Sequence, residues 1–199
     1  MLTLVFAESS LEFRRGRALD ANRDWRELAR LEHKDKRGRP DIVHDLLKLS
    51  LDSELNKRGL LRVFVHCFDD HVITVAPALR LPRSYARFVG LMEDLNRKNK
   101  LAVDGETLLE IKTQTLADLL AEFKEEKIVL DCRGERKTLK EFSKQLKGDA
   151  LVVIGGFPHG AFLSDVLDAL PRCSLASEEL TAPAILAKTI ACAELAQGF

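Results

Sequence analysis

The sequence predicts an α/β protein with parallel strands. Three observations carry that expectation. Strand-like and helix-like segments alternate most clearly after residue 127, the pattern of strands joined by crossover helices. Near its start the chain carries a mostly apolar run, Leu2-Thr3-Leu4-Val5-Phe6-Ala7, which suits a strand buried in a sheet. Its 199 residues, 46% hydrophobic and 31% charged, match a globular chain with a sizeable core. That composition excludes disordered, collagen-like and disulfide-scaffold classes. The length leaves room for one large domain or two small ones.

In chain order, residues 2–7 form the first strand, followed by a charged helical stretch around Trp25. A helix over 40–57 follows. Pro40 suits its first position, Asp41 its first turn, and Val43, Leu46 and Leu47 recur at helical spacing until Gly59. Residues 61–68 and 72–77 read as strands with Asp69-Asp70 in the turn. Pro82 opens the next helix, whose stripe of Tyr85, Phe88, Val89, Met92 and Leu95 is buried; Arg83 and Arg87 then share the opposite face. A helix at 115–124, a strand at 128–130, a helix at 138–146, a strand at 150–154, a strand at 173–175 and a helix at 181–196 complete the chain. No internal repeat or low-complexity linker interrupts it.

Thirty-one basic and 31 acidic residues cancel, so net charge alone points to no polyanion or membrane partner. The cancellation hides an asymmetry. Residues 1–100 carry 20 Lys/Arg against 15 Asp/Glu and residues 101–199 carry 11 against 16, giving +5 and −5. Residues 14–39 hold ten bases among five acids and read as a solvated, internally paired surface. Residues 80–100 hold six bases (Arg80, Arg83, Arg87, Arg97, Lys98, Lys100) against two acids, a purer basic face suited to phosphates. No apolar run approaches the roughly 18–20 residues of a membrane helix. The N-terminus lacks a basic n-region, so the expected location is the cytoplasm. Cys67, Cys132, Cys173 and Cys192 show no C-x-x-C pairing, so reduced and mostly buried thiols are expected and no metal.

Two segments carry candidate chemistry. Leu151-Val152-Val153-Ile154 runs into Gly155-Gly156-Phe157-Pro158-His159-Gly160, a strand entering a glycine-rich turn. Ligands of open α/β sheets sit beyond such strand ends. The spacing fits neither a dinucleotide fingerprint nor a P-loop, so the loop alone suits a tight structural turn equally well, and His159 a surface position. The second segment, Cys173-Ser174-Leu175-Ala176-Ser177-Glu178-Glu179-Leu180-Thr181-Ala182-Pro183, is a strand, a small-residue turn and a helix start. Its backbone could face a flat heterocycle while Thr181 serves as N-cap.

Together with Arg39-Pro40-Asp41-Ile42-Val43-His44, Leu55-Asn56-Lys57-Arg58-Gly59 and Leu79-Arg80-Leu81-Pro82-Arg83-Ser84-Tyr85-Ala86-Arg87-Phe88, these segments make the chain resemble a family. It is that of the pseudouridine N1-methyltransferases of small-subunit ribosomal RNA, the nucleolar essential protein or Emg family of the SPOUT class. The likeness runs from the first strand to the last helix and suits an archaeal member. It implies one SPOUT domain over residues 1–199, with RNA-binding elements at about 39–100 and a trefoil-knotted cofactor part at about 127–199. It implies a homodimer, S-adenosyl-L-methionine as cofactor, and small-subunit rRNA and other ribosome-assembly factors as partners. By matching position, Leu130, Gly155, Gly160, Cys173, Ser174, Leu175, Ala176, Ser177 and Glu178 would contact the cofactor. Arg39, Arg80, Arg83 and Arg87 would bind RNA, with Asp41 and Arg39 at the reacting base. A first-turn carboxylate beside an arginine should stay ionised, which favours positioning over proton removal for Asp41. The alternative is a non-catalytic RNA-binding assembly factor with a vestigial cofactor pocket; a nucleotide-binding enzyme using loop 155–160 lacks the lysine and acids such sites need.

Overall fold

The computed structural model describes residues 1–199. The chain opens with β1 (Leu2–Ser9), a small hairpin of β2 (Phe13–Arg14) and β3 (Arg17–Ala18), and α1 (Ala21–Leu28). Next come α2 (Pro40–Asp52), α3 (Glu54–Lys57), β4 (Leu61–Cys67), β5 (His71–Val75) and α4 (Tyr85–Lys98). A second hairpin, β6 (Lys100–Val103) and β7 (Glu106–Thr113), leads into α5 (Leu116–Ala121). The remainder is β8 (Glu126–Arg136), α6 (Leu139–Gln145), β9 (Ala150–Gly155), β10 (Arg172–Ser174) and α7 (Ala182–Gln197).

The main sheet has eight strands in the order β10-β8-β9-β1-β4-β5-β7-β6. From β10 to β4 every pairing is parallel, as the alternation after residue 127 predicts. From β4 onward the pairings are antiparallel. All eight residues of β1 are buried because the strand is central and covered on both faces. Leu2, Leu4 and Phe6 join one core with Val43, Leu46, Phe88, Phe142 and Leu186 beneath α2, α4, α6 and α7. Val5 and Ala7 point the other way, onto α5 and Leu167. A continuous apolar run is what such a strand requires.

Four expectations need correction. The helix expected over 40–57 is two helices, because Ser53 adopts an extended backbone (φ −68°, ψ 155°) and its hydroxyl caps α3 by accepting from the Asn56 amide. The helix expected from Pro82 begins at Tyr85, with Ser84 as N-cap, so Arg83 precedes the helix and does not share a face with Arg87. Strand 128–130 extends to Arg136. The β6–β7 hairpin is an addition to the expected elements, although Asp104-Gly105 between apolar-rich segments is a strong hairpin signal. Thr181 does occupy the N-cap of α7, without a side-chain hydrogen bond.

β8 is where the sheet prepares a site. Its register against β10 jumps from Val129↔Arg172 to Glu135↔Cys173, so residues 130–134 have no partner there and bow out at the carboxyl edge. Gly134 permits the re-pairing: a Cβ on it would lie 2.6 Å from the Arg172 carbonyl carbon and the Cys173 nitrogen.

Candidate functional site

The parallel strands β1, β8, β9 and β10 end on one side, and a cleft of about 290 Å³ opens beyond them. It is bounded by the bowed Leu130, Asp131, Cys132 and Arg133, by Ile154 and Gly155, by loop 157–162, by residues 173–176 and 178–182, and by Ile185. Of the nine residues expected around a cofactor, Leu130, Gly155, Gly160, Cys173, Ser174, Leu175, Ala176 and Glu178 line this cleft. Ser177 is exposed and outside its lining. Asp131, Arg133, Phe157, Phe162 and Ile185 are additions to the expected set.

The cleft has an apolar lining and a fixed rim. Its walls are apolar at Leu130, Ile154, Leu175, Leu180 and Ile185, and its last loop is a turn locked by its own hydroxyl. Ser174 Oγ donates to the Ala176 carbonyl at 2.9 Å, and the Ser174 carbonyl accepts from the Lys137 amide at 2.9 Å. Burial pushes the Cys173 thiol up to about 11, so it stays a neutral wall. Asp131 is held by Arg133 and Arg172 (2.7 and 3.0 Å) and its carboxyl sits low, at about 2, chiefly through the Arg133 hydrogen bond. An acid so firmly ionised is a poor proton acceptor near neutral pH. His159 is exposed, as expected.

Under the glycine loop lies a polar hub. Glu8, 4% exposed and next to last in β1, adopts a left-handed conformation (φ +50°). Its carboxylate accepts from the Leu163 and Ser164 amides at 2.8 Å each and pairs with Lys36 Nζ at 3.3 Å. Lys36 Nζ in turn lies 3.1 Å from the centre of the Phe157 ring, in the glycine loop. Burial holds the Lys36 ammonium below the usual lysine range, against the pull of Glu8. The Glu8 amide donates to His66 Nδ1 at 3.2 Å, and burial lowers the pKa of that imidazole. No motif announces this hub. Its one signal in the sequence is the carboxylate that directly follows the mostly apolar run Leu2–Ala7.

Loop 155–160 is seated by close approach. A Cβ on Gly156 would lie 2.1 Å from Ser9 Oγ and 2.9 Å from Ser9 Cα, so only glycine fits between β9 and the end of β1. Gly160 adopts φ +88°. The Gly156 carbonyl accepts from the Ser10 amide (2.9 Å), and the Ser10 carbonyl from the Arg39 amide (3.1 Å). The backbone of Arg39 is therefore two hydrogen bonds from the glycine loop.

Arg39 and Asp41 do not line the cleft. Arg39 grips Asp41 in a bidentate fork at 2.9 and 2.7 Å, both side chains about two-fifths exposed. The Asp41 hydrogen bond raises the Arg39 guanidinium further, and both carboxylate oxygens are engaged. Arg80, Arg83 and Arg87 are all exposed. Window 14–39 is not wholly a solvated surface: Lys36 is buried and Arg37 reaches inward to the buried Glu12 at 2.7 Å. Cys67, Cys173 and Cys192 are buried and Cys132 is exposed.

A family model described as EMG1/NEP1 methyltransferase matches residues 4–194. The chain belongs to this family. Among curated EMG1/NEP1 relatives, the ribosomal RNA small subunit methyltransferase Nep1 of Thermococcus onnurineus is 46% identical over 151 residues, 74% of this chain and 68% of that protein. The protein of the same name from Pyrobaculum arsenaticum is 36% identical over a 220-position alignment covering 99% of each chain. Among solved structures, Archaeoglobus fulgidus Nep1 bound to S-adenosylhomocysteine superposes with a TM-score of 0.89 at 32% identity, covering 99% of both chains. The family expected from the motifs is thus the family found.

Proposed function

We propose that this chain methylates N1 of a pseudouridine in small-subunit rRNA, using S-adenosyl-L-methionine. The observation that carries the proposal is the cleft at the carboxyl ends of β8, β9 and β10. It gathers eight of the nine expected cofactor residues, and it is close to the lower end of ligand-pocket sizes, about 300 Å³. Its apolar walls, its tightly seated glycine loop and its buried neutral thiol suit a flat heterocycle carried on a sulfonium. Relatives named for rRNA small-subunit methylation, and an S-adenosylhomocysteine-bound neighbour, support the same substrate and cofactor classes.

S-Adenosylmethionine, when bound, supplies an electrophilic methyl group. The target nitrogen gives up its N–H proton to solvent water as the methyl–sulfur bond breaks, so the base carries developing negative charge. The chain's own residues have to hold that nitrogen in line, and alignment alone can supply about 7–11 kcal/mol. The bidentate fork makes Asp41 a positioning group for Arg39, which is left to place a phosphate or the charged base. Arg80, Arg83 and Arg87, exposed guanidinium groups, take phosphates. We read residues 1–199 as one SPOUT-type unit whose last part is knotted and which works as a homodimer. The single eight-stranded sheet, which joins β1 with β4 through β10, supports the single unit. Light scattering should give about twice the 22.3 kDa chain mass.

The test is incubation with methyl-labelled S-adenosylmethionine and a small-subunit rRNA hairpin carrying either pseudouridine or uridine. Label on N1 of pseudouridine alone is expected. Cofactor binding with no transfer to either RNA would leave the chain as an RNA-binding assembly factor.

A further inference from the structure

The β2–β3 hairpin and α1 form a second charged surface, outside the lining of the cleft. Seven exposed cations and two exposed acids, Glu32 and Asp35, lie between residues 14 and 39. Arg14 and Arg23 are taken by Glu27 and Asp24, which leaves Arg15, Arg17, Arg26, Arg30 and Lys34 without a carboxylate partner. Among them stands Trp25, the chain's single tryptophan. It is 60% exposed, an unusual position for so large an apolar ring, with the Arg26 guanidinium 5.0 Å from the ring centre. The hairpin turn is costly as well. Arg15 holds φ +53° before Gly16 at φ +77°, a place where asparagine, aspartate or glycine would be cheaper, and the choice puts a guanidinium at the tip.

This surface is fixed to the rest of the fold. The Ala18 amide donates to Glu93 on α4 at 3.1 Å, and Tyr85 at the start of α4 donates its hydroxyl to Asp20, the N-cap of α1. These two hydrogen bonds tie the hairpin and the start of α1 to α4. An exposed aromatic ring beside an unpaired guanidinium, with further free cations on the same hairpin and helix, is the pairing that holds unstacked bases and their phosphates. We propose that this surface binds single-stranded RNA flanking the nucleotide to be modified, with Trp25 as stacking platform and Arg15, Arg17 and Arg26 on phosphates. The proposal rests on the RNA-methylation reading and names a further part of its RNA site. The density of unpaired cations favours a polyanion over a protein partner.

Because Trp25 is the only tryptophan, its emission reports on this surface directly. The experiment titrates the wild-type protein with the pseudouridine hairpin, with and without its single-stranded flanks, while methyl transfer is followed on the same samples. Flanked RNA should quench Trp25 emission and bind more tightly than the bare hairpin. Trp25→Ala should lose affinity for flanked RNA by about 5- to 150-fold, the range for one lost base–aromatic stack, and Trp25→Phe should keep most of it. Arg15→Gln and Arg26→Gln should each lower the salt slope by about 0.7. Methyl transfer by wild type with unchanged Trp25 emission overturns this surface and leaves it for a protein partner. Failure of wild type to transfer methyl, whatever its emission does, strikes instead at the methyltransferase reading.

Discussion

Replacing Glu8 by glutamine should destabilise the protein more than any surface charge change. Glu8 and Lys36 form an ion pair whose side chains are 5% and 8% exposed. Removing one partner of such a pair strands the other charge away from water, at a cost of about 3–5 kcal/mol. Glu8 also anchors the Leu163 and Ser164 amides. A glutamine amide in its place has a single acceptor oxygen, so the loop bordering the cleft should loosen too. Lys36→Met is milder, because Glu8 keeps its two amide donors; about 2–3 kcal/mol is expected, the range for hydrogen bonds to charged groups plus the lost ring contact. In the double mutant the stranded charge disappears, so it should be no worse than Glu8→Gln, giving a coupling of about 2 kcal/mol or more. Urea unfolding of the four proteins at constant m measures this, and calorimetry with S-adenosylmethionine reads the loop. Single changes under about 1 kcal/mol, summing in the double mutant, would refute the hub.

Three further outcomes are expected. Gly160→Val forces a side chain into φ +88° on the cleft wall and should weaken S-adenosylmethionine binding about tenfold or more in calorimetry, with the circular dichroism spectrum unchanged. Asp131 has its folded pKa lowered from 3.8 to about 2, so its contribution is complete above 3.8 and lost as pH falls through about 2. Asp131→Asn should therefore cost about 1–2 kcal/mol at pH 7 in denaturant titrations, and the difference from wild type should shrink toward pH 2. Arg83→Ala and Arg87→Ala should each reduce the RNA-binding salt slope by about 0.7 in filter binding while cofactor affinity stays as it was; wild-type slopes in both would place the RNA elsewhere.

What can be read from the chain follows from periodicity and local chemistry. The apolar run of β1, the alternation after residue 127 and the Arg39-Pro40-Asp41 start of α2 each carry their meaning within a few residues, so the parallel core and the cleft's main loops are legible. What escapes depends on contacts distant in sequence. Gly134 looks unremarkable in a polar stretch until β10 packs against it, and the bow that brings Asp131 and Arg133 to the cleft exists only because of that packing. Glu8 meets Lys36 across 28 residues and the Leu163 amide across 155, pairings that no local pattern encodes. The break at Ser53 escapes for a local reason: its hydroxyl prefers capping α3 to continuing α2, and helical spacing on either side hides the switch. Arg83 is misplaced by the sequence because Pro82 has the chemistry of a first helical residue, whereas the His44 ring contacts the Pro82 carbonyl at 2.7 Å and the helix waits until Tyr85.

Methyl transfer to a pseudouridine would leave its mark on the cell's own small-subunit rRNA. Mass spectrometry of small-subunit rRNA from a strain lacking this chain tests it most directly. Loss of one methyl group from a pseudouridine, restored by the wild-type protein and not by Gly160→Val, is the predicted result. A small-subunit rRNA with every pseudouridine methylation intact would contradict it.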